Sequence, residues 1–428
     1  MGLGALTLCS ILSTRSAFAD SKTAIDTGDT AWVLASTALV MLMTPGLGLF
    51  YAGMVRRKNA LATILQSFIL VAVVGVLWVL YGYSMSFGRD HWGLIGSFDW
   101  IGLRHVGFDA YPNTHIPHQA FMIFQAMFAV ITPALITGAF AERMRFKAFL
   151  IFGVLWATFI YNPVAHWVWA PGGWLARAGA IDFAGGIVVH ISSGIAALCC
   201  AIVLGRRKGY GREEFKPHNL TMTLIGTGLL WFGWFGFNAG SALAANRVAV
   251  SAFVATNTAG ATAAVVWMLI EWWHYGKPTA LGAASGAIAG LAAVTPASGY
   301  ITPLAAMAIG LVTGIICYLA VMAKGKLGYD DSLDVFGVHG VGGIWGVLAT
   351  GLFATSFMNT AVRNNGLFNG GTLILNQLLA VVVVSAYSFI GTFLLLKLTG
   401  VITPLRVEKE DEETGLDLSQ HGEVGYSL

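Results

Sequence analysis

Charge is what this sequence has least of. Lys, Arg, Asp and Glu make up 11% of its 428 residues, against about 25% in soluble domains. With 56% hydrophobic residues, too few polar side chains remain to clothe a water-soluble globule. The net charge of +3 is small, and no basic run carries interleaved aromatics, which excludes a nucleic-acid surface. Cysteine is scarce too. Cys9 lies near the start, Cys199 and Cys200 are adjacent, and Cys317 stands alone in an apolar run. No spacing among them suits a disulfide framework or a zinc site. The signatures GxxxxGK[ST], GxSxG and HExxH are missing, which argues against an ATP-driven pump, a serine hydrolase or a metalloprotease, and no enzyme activity is expected. Acidic groups at mid-depth, usual in ion-coupled carriers, are missing as well.

What is present is a series of long apolar runs. A spanning helix needs about 20 mainly apolar residues. The hydropathy pattern predicts spans near 30–54, 60–87, 118–140, 147–169, 183–205, 219–241, 248–270, 279–297, 300–323, 334–355 and 371–397. The expectation is an all-α membrane protein of about eleven transmembrane helices. Gly282, Gly286 and Gly290 recur at every fourth position, and Gly337, Gly340, Gly342, Gly343 and Gly346 crowd another span. Small residues at such spacing let helix backbones approach closely in lipid.

Residues 1–19 read as a signal peptide. Leu3 to Leu12 form a short apolar core, and Ala17-Phe18-Ala19 gives a small-x-small site before Asp20. A short external segment, 20–29, then leads into a transmembrane domain over 30–400 and a polar tail over 401–428. Seventeen Lys and Arg residues fall in one set of alternate loops and at the C-terminal end, and five in the opposite loops. Positive charge favours the cytoplasmic side. The N-terminus is therefore expected outside and the C-terminus inside, in a bacterial cytoplasmic (inner) membrane.

Ionisable residues deep in a span are functional candidates by default. Asp182 and Asp334 open helices, where a carboxylate caps free N–H groups. His118 and His166 lie near predicted span ends. His190 and His339 lie deep, in DFAGGIVVH (182–190) and DVFGVHGVGG (334–343), within the fifth and tenth spans. Five spans per half is odd, so a second copy would enter the membrane upside down, giving two inverted five-helix repeats plus a final helix. Such repeats place a site at their interface. Two neutral imidazoles there could form a polar rail for a small neutral solute. They could also hold a metal or haem, or be a packing pair. Phe124, Phe128, Trp169, Trp234, Phe235 and Phe237 lie in or near the same spans, as core, as interface belt, or as faces for a small cation.

These motifs, with TPGLGLFYAGMVRRKN at 44–59, GAFAERMRF at 138–146, GWFGFNAGS at 233–241 and GLDLSQHGE at 415–423, resemble the Amt/MEP ammonium transporter family over almost the whole chain. The resemblance implies ammonium or ammonia as substrate and a homotrimer with one pore per subunit, in the lipid bilayer and without a cofactor or metal. It assigns Phe124, Trp169 and Ser241 to an outer recruitment site and Phe128 with Phe237 to an aromatic gate. His190 and His339 become the pore pair, Trp234 and Tyr51 pore-side aromatics, and Asp182 a support for the outer site. It further implies a PII-type signalling protein as partner of the cytoplasmic face. An ammonium sensor with little transport is the alternative. A sensor would often carry an added C-terminal signalling domain, whereas only about thirty residues follow the last expected span.

Overall fold

A computed structural model describes residues 24–426; the predicted signal peptide lies outside them. Ten described helices are long and apolar enough to cross a membrane. They are α1 (Thr27–Met54), α2 (Arg57–Phe87), α3 (His118–Phe140), α4 (Phe146–Arg177, broken at Ala170–Gly173) and α5 (Gly186–Leu204). After them come α6 (Leu220–Gly240), α7 (Arg247–Tyr275), α9 (Pro303–Leu327), α10 (Phe336–Phe353) and α11 (Leu373–Ile402). Between α7 and α9 lies the apolar helix α8 (Ala280–Val294), which is shorter than the expected 279–297 span. Pro296 has no N–H to continue it, and Thr295 turns its hydroxyl back onto Leu291 O and takes the Trp234 indole N–H. The fold is thus the all-α membrane bundle expected from hydropathy.

Helices are forced here because a backbone in lipid must satisfy its own hydrogen bonds. Their ends carry ordinary stop signals. Asp26, Asn219, Asn246, Thr279 and Thr302 accept amide protons at N-termini, and Gly276 and Gly328 close C-termini in the left-handed conformation. Large apolar side chains such as Phe68, Leu304 and Leu375 face outward, as lipid-facing residues do. The small-residue stripe works as anticipated. A methyl group at Gly286 or Gly290 would press on the α7 backbone at Ala263 or Ala259.

The two halves meet at α5 and α10. Each begins with a π-helical turn, Gly186–Ile191 and Phe336–Gly340, that carries its histidine. Each π turn packs against the helix of the other half. The glycine four residues after each histidine makes this possible. A Cβ on Gly194 would collide with Gly340, and one on Gly343 would crowd His190 and Ile191. The side chains themselves are thereby brought to the centre of the bundle.

At the end of the bundle where α4 breaks, expected outside, a hairpin of β1 (Asp90–His91) and β2 (Ile95–Gly96) packs over α4. Beyond α11 the tail forms α12 (Lys409–Thr414) and α13 (Leu416–His421). It docks on the loops of its own chain. The Asp417 carboxylate accepts the Leu61 and Ala62 amides at the start of α2, and Asn59 accepts Leu416 N. Beside it, Glu142 is buried between Arg56 and Arg207, at 2.9 and 3.2 Å, and Arg207 also grips Asp330 at 2.9 Å.

Candidate functional site

An outer pocket of about 560 Å³ opens above the centre of the bundle, lined among others by Phe128, Trp169, Asp182, Ser241 and Tyr300. The Trp169 indole donates to the Asp182 carbonyl at 2.9 Å, which holds the ring at the pocket wall. The Asp182 carboxylate is used up elsewhere. Its two oxygens accept the amides of Gly185, Gly186, Ile187 and Val188 at 2.7–3.1 Å, capping the π turn that carries His190. Gly185 makes the tight entry with φ of 122°, a value that side chains rarely tolerate. Ser241 lines the pocket, and its hydroxyl donates to Phe237 O at 2.8 Å. Phe124 is fully buried and lies edge-on behind Phe128 at 5.0 Å rather than on the pocket lining.

The pocket floor is aromatic. Phe128 and Phe237 lie against each other at 4.4 Å between ring centres, with Phe128 edge-on to Trp169 at 5.7 Å. Below them is a chamber of only about 10 Å³, lined by His190, His339, Trp234, Phe237 and aliphatic side chains. His190 stacks on Trp234 at 5.5 Å and on His339 at 5.3 Å. The two Nδ1 atoms are 3.3 Å apart. One ring must donate and the other accept. The donor ring then shows an Nε2 lone pair, and the acceptor ring an Nε2–H. The Nε2 of His190 is buried and has no partner among the described residues. Beneath His339 a third cavity, of about 30 Å³, continues between Tyr51, Ser285 and Asp334. The Tyr51 hydroxyl is committed to Leu135 O at 2.9 Å.

Asp334 requires a correction. It does not cap its helix: it has left-handed backbone (φ 61°) and pairs with Lys324. Asp331 takes the capping role, accepting Phe336 N at 2.7 Å. Asp331 precedes His339 by eight residues, as Asp182 precedes His190. That shared spacing was the available signal. Burial pushes the Asp331 carboxyl up to about 6, against the pull of Lys324. Tyr300 and Gln125, also on the outer pocket, carried no sequence signal. Among the described residues no three His, Cys, Asp or Glu side chains converge as a metal site.

The comparisons with known proteins bear on the chain as a whole. Residues 31–426 match the Ammonium Transporter Family. An ammonium transporter of Bacillus subtilis is 52% identical over 402 residues, covering 93% of this chain and 98% of the relative. Ammonium transporter Amt1 of Archaeoglobus fulgidus is 51% identical, covering 94% and 99%. The crystal structure of Candida albicans Mep2 superposes with a TM-score of 0.85 at 36% identity, over 90% of this chain and 88% of that one. A structure titled Sensor Amt Protein gives 0.84 at 31% identity, over 92% and 98%. The chain belongs to the Ammonium Transporter Family.

Proposed function

We propose that ammonium is gathered as a cation at the outer pocket, loses a proton at the aromatic floor, and crosses the histidine chamber as ammonia. What supports this is one observation above the others: a largely apolar chamber of about 10 Å³, whose polar groups include a histidine Nε2 without a partner among the described residues. Carrying an intact ion through such a bore is opposed by desolvation, on the order of 20 kcal/mol in the idealised case. A neutral solute avoids that cost and finds one donor and one acceptor on the histidine pair. At the outer pocket the opposite holds. The aromatic faces of Trp169 and Phe128 favour a small cation, Phe124 backs Phe128, and Ser241 offers a hydroxyl oxygen. Phe128 and Phe237 form the gate, Trp234 and Tyr51 flank the pore, and Asp182 fixes both Trp169 and the His190 turn.

The loop charges support a cytoplasmic-membrane protein with its N-terminus outside and its C-terminus inside. The family resemblance supports a homotrimer, and the docked polar tail supports a cytoplasmic surface for a PII-type protein. Transport is preferred to a sensor role because the three cavities lie in series through the bundle. The test is purified chain in liposomes given an external ammonium pulse. Internal alkalinisation faster than in protein-free liposomes supports the reading, and equal rates oppose it.

A further inference from the structure

The outer end of α4 carries a histidine that the transport reading does not use. His166 lies one turn before Trp169, and its side chain is 0% exposed. Its Nδ1 is 2.9 Å from the Ser86 carbonyl oxygen in α2, and its Nε2 is 2.9 Å from Asp90 Oδ1 in β1. A carbonyl oxygen only accepts, and so does an ionised carboxylate. A neutral imidazole has a single N–H and can answer only one of them. Both contacts are met together by a doubly protonated ring facing a carboxylate, or by a neutral ring facing a protonated acid.

Asp90 decides between these. Its Oδ1 also accepts Gly93 N at 2.7 Å. Burial would raise its carboxyl, but the His166 bond and the Gly93 amide hold it below the usual carboxylate range. Arg177 is a further positive neighbour. Arg89 and Asp99 in the same loop pair with each other at 3.4 Å. An ionised Asp90 requires the charged ring.

The pair sits in a set of contacts around Trp169. Trp167 donates to Leu94 O at 2.8 Å and Trp174 N to Gly93 O at 3.1 Å, which fastens the hairpin to both sides of the α4 break. Ala170 N donates to His166 O. Gly173 lies so close to the His166 and Trp167 carbonyls that a Cβ would collide with them.

We propose that His166 stands as an imidazolium paired with Asp90 and is a positioning residue for the outer ammonium site. The ion pair clamps the 90–96 hairpin to the end of α4 and so fixes Trp169, a step that rests on the reading of Trp169 as a cation-binding residue. Loss of the proton at alkaline external pH leaves Ser86 O or Asp90 without a donor. Outer-site affinity then falls while the maximal rate holds.

Two measurements on the full chain in bilayers test this. In ¹⁵N-histidine solid-state NMR, assigned with His166→Gln, both ring nitrogens of His166 carry protons at neutral pH; a neutral ring overturns the charge assignment. In uptake titrated over the concentration of the ammonium cation at each pH, the wild-type half-saturation concentration rises at alkaline external pH. His166→Phe, which strips donors from buried acceptors, raises it about fivefold at neutral pH. Asp90→Asn lets a neutral His166 donate through Nδ1 and accept through Nε2, so both contacts survive without the extra proton. Its half-saturation concentration therefore no longer depends on external pH. An unchanged alkaline rise in Asp90→Asn overturns the positioning role. If His166 is doubly protonated while Trp169→Leu leaves uptake unaltered, the reading of Trp169 has failed and the ion pair has not.

Discussion

Replacing Trp169 by Leu removes two things at once. The indole face is lost to the cation, worth about 0.5–2 kcal/mol depending on how dry the site is. The hydrogen bond to Asp182 O is lost too, and with it about 1 kcal/mol of fixation of the pocket wall. Part of the second loss falls on the free protein and not on binding. The net effect on ammonium affinity is therefore about 1–2 kcal/mol, or roughly 5–30-fold. The edge-on contact with Phe128 at 5.7 Å disappears as well, but Leu still covers the ring. The chamber below is untouched, because Trp169 does not line it. The expected signature is a higher half-saturation concentration with a maximal rate close to wild type, read in liposomes over a range of external ammonium. An unchanged half-saturation concentration in correctly folded Trp169→Leu protein would refute the assignment of the outer site. A lowered maximal rate with unchanged half-saturation would place Trp169 in the pore and not at its entrance.

Three further outcomes follow from the end of the bundle that carries the tail. Glu142→Gln leaves Arg56 and Arg207 short of a buried carboxylate and should lower stability by about 3 kcal/mol, the low end for breaking a buried pair because Arg207 keeps Asp330; thermal unfolding in detergent measures it. Burial would raise Glu142 and Asp330, but the neighbouring arginines hold both below their ordinary values. Their contribution is therefore complete above about 4.5 and is lost as pH falls through the lower folded values, so wild type and Glu142→Gln should converge in strong acid. Reporter domains fused after Arg207 and after Lys409 should both register cytoplasm, and a periplasmic signal from either would contradict the orientation. A PII-type protein should bind the full chain more tightly than a chain lacking residues 406–428, since α12 and α13 shape the docked surface; equal binding would remove the tail from that surface.

Much of this architecture is legible in the sequence because lipid allows so few solutions. A run of about 20 apolar residues has no alternative to a helix, so α3 falls at His118–Phe140 against an expected 118–140, and α6 at Leu220–Gly240 against 219–241. The misses lie where hydropathy carries no information. The end of α8 is set by Pro296 and by a side-chain contact from Trp234 in another helix. The π turns under His190 and His339 leave no mark on an apolar pattern. Asp334 stands next to the tenth span and reads as its cap, but the chain turns at Asp334 with positive φ and presents Asp331 instead. The outer hairpin is two residues per strand, below any periodicity. The histidine pair was visible as two deep polar residues, with a polar rail as one reading among several. Sequence alone left that choice open, because the 3.3 Å contact joins residues 149 positions apart. Phe124 sits behind Phe128 for a related reason: sequence neighbours on one helix do not reveal which ring reaches the cavity.

In the proposed mechanism the His190–His339 pair passes a neutral solute and gives a bare cation too little in return for its lost water. The most direct measurement is current and ammonium uptake in liposomes bearing His190→Ala or His339→Ala, with potassium gradients as the competing ion. Each substitution removes one half of a buried polar pair, which costs about 1–3 kcal/mol of stability for the unsatisfied partner, so both proteins are first checked for intact assembly. Altered ammonium flux together with weakened exclusion of potassium is expected in both variants, with a further shift in selectivity when either position carries a carboxylate. Wild-type flux and wild-type potassium exclusion in both well-folded alanine variants would contradict that mechanism and leave the histidines as a packing pair.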